Sequence, residues 1–333
     1  MDSGERQLLM NTINTDIAII GGGPAGLAAA LGAYECGIKN IVVFERGDEA
    51  GGILRQCIHT GFGLQYFREE LTGPEYSERF LNKVSASAAK IFISAMVINI
   101  HQDNSLSVIS RNEGYIRVYF KALIIATGCR ERTRGAIQIP GDRPSGIYTA
   151  GQAQWFINME GCRIGRDAVI LGSGDIGLIM ARRLTLEGMH VKGVFEINPW
   201  STGLNRNVIQ CLYDYDIPLY LKKTVINIQG QKRIKCVTVS NVDDNKNPVK
   251  GTEEDITCDT LLLSVGLIPE NELLTAVNIP LDKGTGGAVV NQRYQTIREN
   301  VFACGNALMV EDLVDRVTYH GLEAGRQAAN YIK

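Results

Sequence analysis

No two of the eight cysteines in this 333-residue chain are spaced as C-x-x-C. Cys36, Cys57, Cys129, Cys162, Cys211, Cys236, Cys258 and Cys304 are scattered, so they offer no zinc or iron–sulfur ligand set, and no metal site is expected. That scatter suits a reducing cytoplasm better than a disulfide framework, and most of these residues read as small buried hydrophobes. Long apolar runs are missing too: none approaches the roughly 20 residues that a membrane-spanning helix needs. Charge of one sign is missing as well. A net charge of −2 gives no general attraction to nucleic acid. The opening run, MDSGERQLLMNTINTD, is polar and lacks the apolar region of a signal peptide. A cytoplasmic location follows as an expectation, with residues 1–14 as a flexible leader.

What the chain does have is glycine in a pattern that occurs twice. In TDIAIIGGGPAGLAAALGAYECGIKNIVVFER, the apolar run Ile17 to Ile20 suits a strand buried on both faces of a parallel sheet. The glycines Gly21, Gly23 and Gly26 follow, then an Ala/Leu-rich helix with Pro24 in its first turn and Gly37 after its end. A second strand closes on Glu45. In DAVILGSGDIGLIMARRLTLEGMHVKGVFE the same order returns: strand, Gly172, Gly174 and Gly177, helix, Gly188, strand, Glu196. Each acid stands 24 residues after the first glycine of its own turn and 8 after the glycine that ends its helix. One G-x-G-x-x-G is weak; two in strand–turn–helix–strand context, each with an acid at matching distance, predict two dinucleotide sites. The first glycine permits the tight turn, the second lets pyrophosphate approach the backbone, and the third lets helix and strand pack closely. The helix N-terminus then faces the phosphates. Glu45 and Glu196 are expected to accept hydrogen bonds from ribose hydroxyls. An acid at Glu196 would also repel a 2′-phosphate, so NAD(H) is expected over NADP(H).

Later echoes complete each sheet. FKALIIATG ends on Ala126, Thr127 and Gly128, and CDTLLLSVG ends on Gly266. The Pro/Gly-rich, charged segment from Cys129 to Gly146 reads as a crossover, and a second lies near Ser264 to Glu272. VFACGN and a final helix from about Val317 to Ile332 return the chain to the first sheet. The fold class is therefore α/β: two Rossmann-like three-layer dinucleotide-binding domains, the second inserted in the first. The boundaries expected are 15–147 with 267–333 for the FAD-binding domain and 148–266 for the NAD(P)H-binding domain.

The order GGGPAG, Glu45, Gly51–Gly52, ATG, GSGDIG with Glu196, SVGLIPEN and VFACGN resembles the pyridine nucleotide–disulfide oxidoreductase superfamily of flavoproteins. The length resembles its compact thioredoxin-reductase form, and the resemblance spans residues 15–333. A narrower resemblance, carried by GGILRQCIHTGFGLQYFREELTGPEY and ATGCRERTRGAIQIPGDRPSGIYTAGQAQ, is to a bacterial FAD-dependent subfamily associated with anaerobic glycerol-3-phosphate dehydrogenase components. The resemblance implies FAD contacts at Gly21, Gly23, Pro24, Ala25, Gly26, Glu45, Arg46, Gly52, Ile53, Val97, Ala126, Thr127, Gly128, Gly305, Asn306 and Val317. It implies NAD contacts at Gly172, Gly174, Asp175, Ile176, Gly177, Glu196 and Gly266. It further implies an enzyme that exchanges hydride between NAD(H) and FAD and passes electrons to an acceptor. Alternatives are an FAD subunit of a multi-component dehydrogenase, acting on glycerol 3-phosphate or an amine or imino acid, with a second flavoprotein or a cysteine-rich electron-transfer subunit as partner, and a Cys57-dependent peroxide or disulfide reductase. Relatives of this shape are often homo-oligomers.

The chain departs from the superfamily in lacking the redox disulfide, in having Asn306 for the usual acid, and in having Ile179 where a glutamate is common two residues after the second motif. Cys57 follows Glu45 by 12 residues, an interval similar to that of single-cysteine relatives. It reads either as a thiolate beside the flavin, its pKa lowered by a neighbour such as Arg55, or as a buried inert cysteine lining the pocket. His59 and His320 read either as proton donors near the flavin or as structural histidines. Arg130, Arg132 and Arg134 read as a solvated hinge or an anion clamp. Phe62, Tyr66 and Phe67 read as core packing or a docking surface.

Overall fold

A computed structural model describes residues 11–333. Most of the expected leader, residues 1–10, lies outside the described residues. Residues 11–14, counted with that leader, instead begin a strand, Asn11–Ile20. Asn11, Thr12 and Asn14 are polar and exposed while Ile13 packs against the core, and the segment pairs in parallel with Gly114–Ile125 from Asn11↔Ile116 onward.

The chain divides into two compact units: one runs to Arg130 and resumes at Ile268, and the other is Glu131–Leu267. The insertion of the second unit in the first is as expected. The first crossing falls 17 residues before the expected boundary, because the loop 131–146 is held within the inserted unit. Gly141 and Ser145 form isolated bridges to Ile228 and Arg233, and Ser145 Oγ donates to Lys232 O at 2.7 Å. Ile139 is buried in the same unit's core.

The discontinuous unit centres on a sheet in the order Lys90–Phe92, Ile41–Phe44, Asn11–Ile20, Gly114–Ile125, with Val301–Ala303 parallel on the far side of Gly114–Ile125. Gly114–Ile125 is long enough to serve two structures, for its first half also pairs antiparallel with Ser105–Ser110, which in turn pairs with Ala95–Ile100. Alternation in the central strand puts Ile17 and Ile19 against helices Pro24–Glu35, Gly73–Ser85 and Val314–Ile332, and Ala18 and Ile20 against the antiparallel meander. The inserted unit repeats this plan. Its five parallel strands run in the order Ile147–Thr149, Thr260–Leu263, Asp167–Leu171, His190–Glu196, Leu219–Leu221. Helices Ala150–Asn158 and Asp175–Leu186 cover one face. The meander Lys223–Gly230, Ile234–Asn241, Glu254–Thr257 covers the other. In both sheets the order of strands reverses beside the strand that carries the glycine turn, which is where open α/β sheets bind ligands.

Helices Pro24–Glu35 and Val314–Ile332 pack backbone to backbone. A Cβ on Gly325 would lie 2.1 Å from Ala29 O, and one on Gly321 would lie 2.2 Å from Ala25 O. Alanine is favoured over glycine inside a helix by about 1 kcal/mol. Here its Cβ meets a carbonyl that moves only if the helices separate, an overpacking cost of about 1–3 kcal/mol. Gly325→Ala is therefore expected to lower the urea midpoint of unfolding; a raised midpoint would show that the helices do not approach this closely.

Candidate functional site: two dinucleotide turns

Steric necessity builds each turn. Gly21 has a φ of +108°, and a Cβ there would lie 2.2 Å from Ala126 O. A Cβ on Gly26 would lie 1.8 Å from Gly21 O. The first glycine thus seats the turn on the neighbouring strand, and the third seats the helix on the turn. Between them, a Cβ on Gly23 would find only Gly52 Cα within 4 Å, at 3.8 Å. That gap opens at the start of helix Pro24–Glu35, which has Pro24 in its first turn and no side-chain cap at Gly23. The inserted unit reproduces the arrangement. A Cβ on Gly172 would lie 2.0 Å from Ser264 O and one on Gly177 would lie 2.7 Å from Gly172 O. One on Gly174 would have only Ser264 Oγ at 3.5 Å and Thr202 Oγ1 at 4.0 Å. Helix Asp175–Leu186 likewise has no side-chain cap at Gly174. Both cradles, open at the middle glycine and at an uncapped helix start, fit a pyrophosphate.

The remaining FAD candidates gather around the first turn in part. A Cβ on Gly305 would lie 2.6 Å from Ala25 Cβ and 3.3 Å from Val317 Cγ1, so these three positions converge. Ala126 N–H donates to Ile20 O at 2.9 Å and Thr127 Oγ1 to Glu270 O at 2.6 Å. Gly128, at φ +74°, has open space where its Cβ would be. Asn306 accepts the Glu311 N–H at 3.1 Å, and its Nδ2 lies 3.6 Å from Cys129 Sγ. Arg46, Gly52 and Ile53 are exposed. Val97 buries its side chain in the core opposite Val108, so only its backbone is available to a ligand. The final helix begins at Val314, three residues before the expected start, and its first turn holds the buried Asp315, which accepts the Gln65 N–H at 3.0 Å.

Glu45 and Glu196 differ. Glu45 is half-buried and accepts two N–H groups, from Gly22 at 2.8 Å and Gly47 at 2.7 Å. Glu196 is 3 % exposed and accepts four: Ser173 N–H at 2.9 Å, Ser173 Oγ at 2.6 Å, Asn198 N–H at 2.9 Å and Asn198 Nδ2 at 2.7 Å. Asp175 accepts from Leu204 N–H and Asn207 Nδ2, both at 2.7 Å, and so ties the following loop to the helix start. Ile176 packs on the helix-side core. Gly266, at φ +105°, is exposed and has only the Arg132 side chain nearby. Ser173 was not singled out in the sequence, although its place inside G-x-G was visible.

The surroundings of Cys57 favour the buried, inert alternative. The residue is 7 % exposed, and burial pushes its thiol up to about 12. Arg55, expected to lower that value, pairs instead with Glu49. His59 Nδ1 lies 3.0 Å from Thr60 O, with its ring 5.0 Å from Phe62. His320 stands six residues into the final helix. Its Nε2 is 3.8 Å from Glu311 Oε1 and its ring centroid 5.7 Å from that of Tyr294. Burial holds its imidazole below the ordinary value. Arg130 and Arg132 are exposed, as a solvated hinge would be, and Arg134 is half-buried. Arg130 pairs with Glu270 and Glu272, and Arg134 donates to the carbonyls of Ile139, Pro140, Gly141 and Asp142. Phe67 packs edge-on against Tyr76 and Phe80, Tyr66 packs tilted on Phe80, and both, with Phe62, are partly buried against the core. Among the described residues no group of three or more metal-ligating side chains gathers, and no helix is long and apolar enough to cross a membrane.

Two units of one three-layer plan, each with a dinucleotide cradle at its sheet edge, define an oxidoreductase of the two-nucleotide class. The chain belongs to the pyridine nucleotide-disulphide oxidoreductase family, whose model matches residues 15–328, and that family implies FAD and NAD(P) as cofactors. It is 26 % identical over 312 residues to the hydrogen cyanide synthase subunit HcnB of Pseudomonas protegens, covering 86 % of this chain and 65 % of that protein. It is 25 % identical over 320 residues to the CoA-dependent NAD(P)H sulfur oxidoreductase of Pyrococcus abyssi, covering 91 % of this chain and 64 % of that one. The chain thus spans a little under two thirds of the length of both. The fold matches the crystal structure of T. acidophilum thioredoxin reductase with a TM-score of 0.76 at 22 % identity, over 95 % of this chain and 98 % of that one.

A thiol at about 12 is thiolate to only about one part in 10⁴ at pH 8. Iodoacetamide at that pH is expected to modify the exposed Cys162 and to spare Cys57 until denaturant is added. Labelling of Cys57 in the native protein at the Cys162 rate, read by peptide mass spectrometry, would restore the reactive-thiol reading.

Proposed function

We propose that the protein is an FAD-dependent NAD(P)H oxidoreductase, with FAD in the discontinuous unit, a nicotinamide dinucleotide in the inserted unit, and electrons passed to an acceptor outside the chain. The observation that carries this is the pair of cradles, each closed by its outer glycines and open at its middle one. Bound FAD would supply the two-electron chemistry. The chain's own part is to bind and orient. Gly23 and the start of helix Pro24–Glu35 would take the FAD pyrophosphate. Glu45, with two donors on a carboxylate that has about four acceptor positions, retains capacity for ribose hydroxyls. Ala25, Gly305 and Val317 would bring the start of the final helix to the flavin end. The preference for NAD(H) expected from Glu196 belongs to this reading only if that carboxylate meets the ribose, and four donors already meet it.

One observation favours a second reading, that of an FAD subunit in a multi-component dehydrogenase. The HcnB relative is itself a subunit. Ile179, in place of the common glutamate, packs into the helix-side core and presents no polar group there. A glycerol-3-phosphate or amine dehydrogenase complex, with a second flavoprotein or cysteine-rich subunit as partner, would be its setting. A homo-oligomer in the cytoplasm is compatible with either reading.

Anaerobic titration with NADH and with NADPH, followed at the flavin band near 450 nm, is expected to bleach the flavin stoichiometrically with at least one of them. A yellow protein that neither bleaches would move the conclusion to the subunit reading. Gly23 has an ordinary extended backbone, so a side chain there obstructs the cradle without straining the turn. Gly23→Val is expected to lower bound flavin, read as the 450 to 280 nm ratio, at least tenfold, about the weight of one charge-assisted hydrogen bond. Full flavin occupancy in that variant would remove the first cradle from the assignment.

A further inference from the structure

The two turns differ at two corresponding positions, and the difference decides what each acid can do. In the first copy the residue between the first two glycines of the turn is Gly22, and the residue two after the acid is Gly47. Neither has a side chain, so Glu45 receives one backbone N–H from each. In the second copy these positions are Ser173 and Asn198. Each gives the acid its backbone N–H and a side-chain donor besides, so Glu196 receives four hydrogen bonds. A carboxylate has about four acceptor positions. Glu45 is half filled and Glu196 is full. Ser173 is also the node of a wider brace. It is fully buried, its Oγ accepts the Thr202 N–H at 3.0 Å, and its carbonyl accepts Gly203 N–H at 2.9 Å and Ser201 Oγ at 3.3 Å. The loop that follows the acid is thereby stitched across the glycine turn.

We infer that Glu196 is a positioning residue, locked with Ser173 and Asn198 into a brace whose four donors offset the carboxylate's charge and keep it 3 % exposed, and that the second site therefore binds NADH and NADPH with similar affinity. This rests on the assignment of a nicotinamide dinucleotide to the inserted unit. Ribose recognition passes to exposed groups on the stitched loop. The nearest to the open glycine is Thr202 Oγ1, 4.0 Å from where a Cβ on Gly174 would lie. Removing both side-chain donors re-creates the arrangement of the first copy and frees half of the carboxylate to read the ribose.

The test is equilibrium binding of NADH and NADPH to the intact flavoprotein by calorimetry, with the melting temperature measured for each variant. In the wild type the two dissociation constants are expected to agree within about threefold. Glu196→Gln is expected to weaken both together by on the order of tenfold, the weight of one charge-assisted hydrogen bond, with their ratio unchanged. Ser173→Gly with Asn198→Gly is expected to introduce a preference for NADH of about tenfold or more, which a merely structural loosening would not produce. A wild type that prefers NADH tenfold, with the preference erased by Glu196→Gln, overturns the inference while leaving the nucleotide assignment standing. A double variant that keeps its melting temperature and gains no preference overturns it also. A wild type that binds neither nucleotide removes the assignment itself, and the inference with it.

Discussion

The distance between a glycine Cα and a carbonyl oxygen organises this molecule. At Gly26 no atom larger than hydrogen fits, because Gly21 O would lie 1.8 Å from a Cβ. Gly177 stands in the same relation to Gly172 O, at 2.7 Å. Such contact brings a helix onto the end of a strand at the closest approach that backbone allows. Once helix and strand meet that way, the helix start is fixed at the edge of the sheet, and its unpaired N–H groups and partial positive charge face whatever lies there. The pyrophosphate cradle follows from packing rather than from any charged side chain.

The same constraint spreads to the rest of each unit. Gly21 can dock on Ala126 only if Gly114–Ile125 is parallel and adjacent to the first strand, as it is. Gly172 docks on Ser264, at the end of Thr260–Leu263, which lies beside Asp167–Leu171. The final helix reaches the first turn because Gly321 and Gly325 let it lie backbone to backbone on Pro24–Glu35. That approach brings Gly305 and Val317 to Ala25. Small residues at a few positions therefore do more to place the ligand-facing atoms than the large apolar residues that fill the two cores.

These steric demands explain what could be read from the sequence. A position that tolerates only glycine leaves a mark in any single sequence, so both turns, their helices and their acids were legible, as was the insertion of one unit in the other. Hydrogen-bond commitments leave no such mark. Glu45 and Glu196 look alike at equal spacing, and only the structure shows one half filled and the other full. The Pro/Gly-rich run before Gly146 has the composition of a linker, but Arg134 folds it on itself and the bridges at Gly141 and Ser145 pin it to the inserted unit. Residues 11–14 looked like a leader because Asn11, Thr12 and Asn14 are polar and exposed. Cys57 sits at an interval that suggests reactivity, whereas burial, which spacing does not encode, pushes its thiol the other way.

The cysteines bear on the electron path proposed above. A cysteine couple that stores a reducing pair needs two sulfurs within bonding reach or one thiolate poised near neutral pH. This chain has no C-x-x-C, and burial pushes Cys57, Cys258 and Cys304 each up to about 12 and raises Cys211 and Cys236 as well. Cys162 is exposed but lies in the inserted unit, next to Glu160 O rather than at the glycine turn. Cys36 and Cys129 are half-buried, and Cys129 stands next to Gly128 beside the first turn. Under the function proposed above, electrons that reach a bound flavin pass to an acceptor outside the chain, and a small acceptor and a second subunit meet that requirement equally well.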